Sequence, residues 1–290
     1  MWSAITLAPT FNKWHSETNP NDLFDFLQNL FKKNYVLGAA TVGQKQFNEV
    51  GGHAYSVLGT YVVSLEDGTK VKLVHYFNPW HSEVWSTNPW GDSSPVWTDY
   101  VKKQVPYVNG NDGQVFSTIE DYYNNFGCTN WAEVHQNYDI SFVDIPLKLE
   151  SGVSNFYDAD FNYIGTQSTE LYIFVEQIDG RLLQGCGTAY DVGAVLVTDP
   201  NGQFFSGKDR VVKIANPIPG KYHVKVAVTR KKSYINYFTI TAYSSANTVQ
   251  FLPVNIPVIE QKKTCPNDCN FQGNCNTFYG TCTCFYGVFI

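Results

Sequence analysis

A residue type with acid–base chemistry and one that can orient it stand at the ends of neighbouring apolar runs. His53 follows Gly51-Gly52 and opens His53-Ala54-Tyr55-Ser56-Val57-Leu58-Gly59, while Asn78 closes the next run within Phe77-Asn78-Pro79-Trp80. An imidazole can carry a proton to and from a nucleophile when a second group holds its far nitrogen and fixes its tautomer. A neutral amide suffices for that task if the nucleophile is a thiolate, because the thiolate itself balances the imidazolium charge. On this logic His53 is the general acid/base, Asn78 its orienter and Trp80 a shield for their hydrogen bond. The seven cysteines, Cys128, Cys186, Cys265, Cys269, Cys275, Cys282 and Cys284, all follow His53. Cys128 reads as a buried thiol near a helix end, and Cys186, within Gly185-Cys186-Gly187, has no catalytic company. Two thirds of a catalytic triad are therefore legible, without a nucleophile beside them. His53, His75 and His81 match no metal-ligand spacing.

The elements that must place these residues follow from periodicity and turn chemistry. Leu23, Phe26, Leu27, Leu30 and Phe31 recur at helical spacing, so Asp22 to Lys33 is expected as a helix capped by Asn19 or Asn21. Tyr35–Val42 and His53–Ser64 are expected strands, and Asp67-Gly68 turns the chain into Lys70–Phe77. A two-residue turn there sets Ser82 opposite His53, four positions past Asn78, a gap that a bulge or strong twist must absorb. Asn88 in Asn88-Pro89-Trp90-Gly91 is the rival orienter, but it lies further from His53. Asp92 to Lys103 reads as helix-like or irregular, and Phe116–Tyr123 as a second short helix.

From about Phe142 the pattern changes to short β-branched or aromatic runs: Leu171–Gln177, Ala194–Val197, Tyr222–Val228, Ile235–Ala242 and Val249–Val254. Turn sequences such as Asp199-Pro200-Asn201-Gly202 and Pro217-Ile218-Pro219-Gly220 separate them, which implies an antiparallel sandwich. Asp158 and Asp160 fall in what reads as a solvated interdomain loop. The last stretch packs Cys265, Cys269, Cys275, Cys282 and Cys284 with little apolar sequence, which calls for covalent staples or a metal. A zinc knuckle competes, although no His and no Cys-x2-Cys spacing occurs there.

With 290 residues and 43% hydrophobic side chains, two domains and a small appendix are accommodated. The net charge of −6 and the absence of any basic block beyond Arg230-Lys231-Lys232 exclude an electrostatic nucleic-acid surface. No apolar run is long enough for a membrane span, and the N-terminus lacks the basic and apolar parts of a signal peptide.

Gly52-His53-Ala54-Tyr55-Ser56-Val57-Leu58-Gly59, Asn78-Pro79-Trp80, Trp85, Trp90 and Trp97 resemble, in order, the second half of a calpain-type cysteine protease core. Asn21–Leu27, Tyr35–Ala40 and Asp112-Gly113-Gln114-Val115-Phe116 extend the likeness. Asn88-Pro89-Trp90-Gly91 keeps the Gly of the family's motif, which His81 replaces after Trp80, yet it stands where the family has a further tryptophan motif. The resemblance implies an α+β fold: a β-rich papain-like half-core over 1–143, a calpain-type antiparallel β-sandwich over 144–258, and a small disulfide-rich module over 259–290. That tail resembles an incomplete EGF-like module, which would join Cys265 to Cys275 and Cys269 to Cys282.

The activity implied is peptide-bond hydrolysis by a Cys–His–Asn triad on a protein or peptide substrate. The Cys-bearing half is expected from an upstream segment, so this stretch alone should not cleave. The alternative is a non-catalytic pseudoprotease that binds partners. Calcium is the implied cofactor: Asp92 and Asp112 match its carboxylates, whereas Val84 and Gln114 stand where acids are expected. The calpain likeness implies an intracellular setting, and the cysteine tail an extracellular or lumenal one.

Overall fold

The helical stripe after Asn19 forms the first helix, α1 (Pro20–Lys32), two residues earlier than the periodicity indicated. Asn19 accepts the Asp22 N–H through Oδ1 at 3.0 Å, and Pro20 occupies the first turn, where no N–H is needed. Leu23, Phe24, Leu27 and Leu30 are its buried residues, and the expected Phe26 and Phe31 pack half-buried against the same core. The computed structural model describes residues 6–41, 51–82, 88–147, 154–166, 169–176, 191–207, 210–229, 237–254, 273–276 and 281–284. Within them the chain divides into two compact units, Met1–His135 and Gln136–Ile290.

The first unit is built on β1 (Thr10–Trp14), β2 (Val36–Thr41), β3 (Ala54–Ser64), β4 (Lys70–Phe77), β5 (Gln114–Thr118) and β6 (Phe126–Ala132). They form one sheet in the order β1-β6-β2-β3-β4-β5, with antiparallel pairing throughout. Two short helices join it, α2 (Asp99–Lys102) and α3 (Ile119–Asn125). The run 116–123 is thus strand then helix, the break falling at Thr118, whose hydroxyl caps α3 by accepting the Asp121 N–H at 3.1 Å.

Alternate residues feed two cores. Val74, Tyr76 and Val115 join the α1 cluster, while Leu73 and Phe116 join Trp90 and Trp97. The β3–β4 hairpin decides which core each residue reaches. Beyond the Ser64–Lys70 pair the Leu65 N–H donates to the Thr69 carbonyl at 2.8 Å, so the turn has three residues, not two, and Gly68 takes a left-handed φ of 85°. A bulge between Val57 and Gly59 then shifts the register so that Val57 pairs Tyr76 and Ser56 pairs Phe77. Strand alternation has period two, so this one extra residue reverses parity. Val63 therefore faces the tryptophan core and Val57 the α1 core.

The second unit contains β7 (Tyr138–Pro146), β8 (Ser154–Tyr163), β9 (Glu170–Glu176), β10 (Asp191–Thr198), β11 (Phe204–Ser206), β12 (Val211–Ala215), β13 (Gly220–Thr229), β14 (Tyr237–Ser245) and β15 (Val249–Phe251). They make two sheets, β11-β10-β13-β8-β15 and β12-β9-β14-β7, both contributing to a single core that includes Phe161, Tyr222, Ile173 and Phe238. This antiparallel architecture begins with β7, ahead of position 144. Asp158 and Asp160 lie on β8, not in a loop, and His223 on β13 bridges them, Nδ1 to Asp160 Oδ1 at 2.7 Å and Nε2 to Asp158 Oδ1 at 3.1 Å. In the tail, β16 (Gly273–Asn276) and β17 (Thr281–Cys284) form a hairpin whose backbone sets Cys275 opposite Cys282. Cys265, Cys269, Cys186 and the triplet 230–232 fall outside the described residues.

Candidate active site

His53 enters β3 through a clamp on the end of β2. Its N–H donates to Thr41 Oγ1 at 3.0 Å, and its carbonyl accepts the Thr41 N–H at 2.9 Å and the Thr41 hydroxyl at 3.1 Å. Gly52, at φ 70°, makes the left-handed turn that leads in. The bulge at Leu58 does the rest. The ladder ends at Ser56–Phe77, and just beyond it His53 meets Asn78, Nε2 to Oδ1 at 2.9 Å, while the chain turns at Asn78–His81 to lay Trp80 over the imidazole. An unbulged hairpin would send His53 to the other face of the sheet from Asn78.

Asn78 is fully buried, and every polar atom of it is used. Its N–H donates to the Gly113 carbonyl at 2.8 Å, and its own carbonyl accepts the His81 N–H at 3.0 Å. The side-chain Nδ2 donates to the Ser82 carbonyl at 2.9 Å, while Oδ1 accepts the Trp80 N–H at 3.1 Å. With the amide so oriented, Oδ1 is also the atom that meets His53 Nε2, at 2.9 Å. An oxygen already accepting one N–H can only accept again, so His53 carries its proton on Nε2 and presents Nδ1 as the exchangeable position. Trp80 lies over the imidazole with ring centroids 4.1 Å apart, while Tyr55 meets it edge-on at 4.8 Å. Trp80 is 54% exposed, so the stack covers the imidazole on one side and leaves the indole open on the other.

Thus His53, Asn78 and Trp80 are brought together. Asn88 is elsewhere: its Nδ2 donates to the Phe116 carbonyl at 2.7 Å, its Oδ1 accepts the Trp90 N–H at 3.0 Å, and Trp90 is buried among Trp97 and Phe116. The second Asn-Pro-Trp is a turn that plugs a core.

Asp92 and Asp112 belong to no group of three candidate metal ligands among the described residues, and position 84 lies outside those residues. Each carboxylate instead holds its own loop. Asp92 Oδ2 accepts the Gly110 N–H at 2.7 Å, and Asp112 accepts the Gln114 N–H on Oδ1 at 2.8 Å and Gln114 Nε2 on Oδ2 at 2.9 Å. The three histidines do not converge either. His75 stacks on Phe116 with centroids 4.1 Å apart, and His81 meets Phe77 edge-on. Cys128 is buried on β6, where burial pushes its thiol up, the opposite of what a nucleophile needs.

Thr41, Tyr55, Ser82 and Gly113 complete the site and were not singled out from sequence. Gly113 had a signal, the Asp-Gly turn dipeptide. At its φ of 86°, a Cβ would stand 2.8 Å from the Asn78 carbonyl oxygen, so the seat of Asn78 requires glycine there. Ser82 acts through its backbone carbonyl and leaves no trace in residue type, and Thr41, which clamps His53 through its hydroxyl as well as its N–H, stands in no motif.

An imidazole thus meets a buried amide under an indole beside the ends of adjacent β-strands. Residues 3–133 match the calpain family cysteine protease model. The calpain-like segment is 34% identical over 115 residues to mouse Calpain-12, covering 37% of this chain and 16% of that protein. Human Calpain-9 is 28% identical over 136 residues, 41% of this chain and 19% of its own length. A maize calpain-type cysteine protease, DEK1, is 28% identical over 186 residues, 49% of this chain and 8% of its own. The aligned part spans less than a fifth of each of these relatives.

Proposed function

We propose that the calpain-like segment supplies the acid–base half of a Cys–His–Asn endopeptidase site, with His53 as general acid/base, Asn78 as its orienter and Trp80 as the cover. The observation that carries this is the 2.9 Å contact between His53 Nε2 and the buried Asn78 Oδ1, an acceptor that calls for the Nε2–H tautomer and leaves Nδ1 to exchange the proton. A thiolate from a Cys-bearing half outside these residues would attack the peptide carbonyl carbon. Imidazolium Nδ1–H then gives its proton to the leaving amine, and neutral Nδ1 takes one from the water that hydrolyses the thioester. The Asn78 amide accepts from Nε2–H throughout and never exchanges a proton. The second unit fits a calpain-type β-sandwich, and the tail hairpin suits a small stapled module of the EGF-like kind.

The test uses the longest native species that contains this sequence, found by intact mass and N-terminal peptide mapping. Its cleavage of a protein substrate is compared with that of His53→Ala. The variant is expected to lose at least about 10³-fold in kcat/KM. Cleavage that survives the substitution would remove His53 from the chemistry, and a native species that binds peptides without cutting them would favour a non-catalytic binding module instead.

A further inference from the structure

Asn78 owes its position to Gly113, and Gly113 is held between two residues that bond each other. Asp112 Oδ1 accepts the Gln114 N–H at 2.8 Å, and Asp112 Oδ2 accepts Gln114 Nε2 at 2.9 Å. That ring of two bonds locks the turn in which Gly113, at φ 86°, directs its carbonyl to the Asn78 N–H at 2.8 Å. The neighbouring loop closes in the same manner, Asp92 taking the Gly110 N–H on Oδ2 and the Tyr107 hydroxyl on its carbonyl at 2.8 Å.

This donor set does not suit a hard cation. Calcium takes six to eight oxygen ligands with free lone pairs. Here each Asp112 oxygen already accepts an N–H, whose positive hydrogen takes a lone pair and competes with a cation for the carboxylate. An acid at position 114 would behave in the opposite way: two carboxylates would repel across the turn until a cation joined them.

We infer that Gln114 stands in for a cation, its amide and backbone N–H latching Asp112 so that Gly113 seats Asn78 against His53 without calcium. Gln114 is then a positioning residue that acts through Asp112 and Gly113. The inference rests on the reading of His53 and Asn78 as an acid–base pair, but the latch can be observed without any cleavage assay.

The experiment is ¹⁵N NMR of the full 290-residue chain, reading the His53 imidazole nitrogens and the Asn78 backbone amide, in a chelator and then with calcium to about 10 mM. In the unmodified chain, Nε2 is expected to be protonated and Nδ1 not, with no change on adding calcium. Gln114→Glu should shift both signals in chelator and recover them as calcium is added. Gln114→Ala should shift them with no recovery. A native His53–Asn78 signature that appears only with calcium would overturn the latch, as would Gln114→Ala spectra identical to the native ones at Asn78. If Gln114→Glu does not fold, the native titration and Gln114→Ala still decide. An unmodified chain whose His53 never shows the Nε2–H form would overturn the proposed function, and the Asn78 amide would still report on the latch by itself.

Discussion

At the scale of single residues, two histidines of the first unit have opposite fates. His53 is held by an acceptor, whereas His75 is 3% exposed, lies flat on Phe116, and has no partner at Nε2. Burial drives the His75 pKa down to about 4, against the opposing pull of Gln114 and the Asp112 charge. A histidine depressed in the folded state stays neutral there but protonates on unfolding. Its contribution is therefore complete above the unfolded pKa of about 6.5 and drains away as pH falls toward 4. The loss over that window should be about 3 kcal/mol, an order-of-magnitude figure from the shift. His75→Phe keeps a ring on Phe116 and should flatten the pH 4–6.5 slope of denaturant midpoints; an unchanged slope would assign the acid sensitivity elsewhere. The choice between Asn78 and Asn88 was legible from reach along the hairpin. Their difference in role was not, because both sit in the same Asn-Pro-Trp sequence, and only tertiary partners, an imidazole or the Phe116 carbonyl, separate them.

At the scale of elements, strand existence was written in the alternation, but register was not. The turn dipeptide Asp67-Gly68 suggested two loop residues, and the observed three, with Gly68 left-handed, move every pair by one. The bulge beside Leu58 moves the rest again. No residue type announces it, since the extra position is defined by which core each flanking side chain can reach. Strands β1, β6 and β12 escaped for a related reason: short segments such as Thr10–Trp14 carry polar residues and are strands only because a partner accepts their backbone groups. The seat of Asn78 makes a sharper demand. Gly113→Ala would place a methyl 2.8 Å from the Asn78 oxygen in a backbone region costly for alanine, and a loss of about 1–3 kcal/mol is expected in thermal or urea unfolding. A variant as stable as the native chain would show that Asn78 can shift freely.

At the scale of the whole molecule, each unit closes its own core. In the second, Phe161 is fully buried, stacked on Tyr222 with centroids 5.0 Å apart and tilted against Phe251 at 5.6 Å. Phe161→Ala should cost about 3–5 kcal/mol and raise amide exchange across β8, β13 and β15; protection that persists would mean the aromatic stack is peripheral. The sandwich pattern was legible because turns and β-branched runs alternate regularly there, whereas its start at β7 was masked by exposed residues such as Phe142. In the first unit, the pairing of β1 with β6 has a mechanical corollary. Thr10 lies opposite Ala132, and the Glu133 N–H donates to the Pro9 carbonyl at 3.1 Å, so the chain enters and leaves this unit side by side. Tension applied through both ends would open the β1–β6 ladder one rung at a time, from Thr10 and Ala132 toward Trp14 and Cys128, instead of shearing all rungs together. The edge strand would therefore yield before the central strands β3 and β4, beside whose ends His53 and Asn78 stand, bore any load.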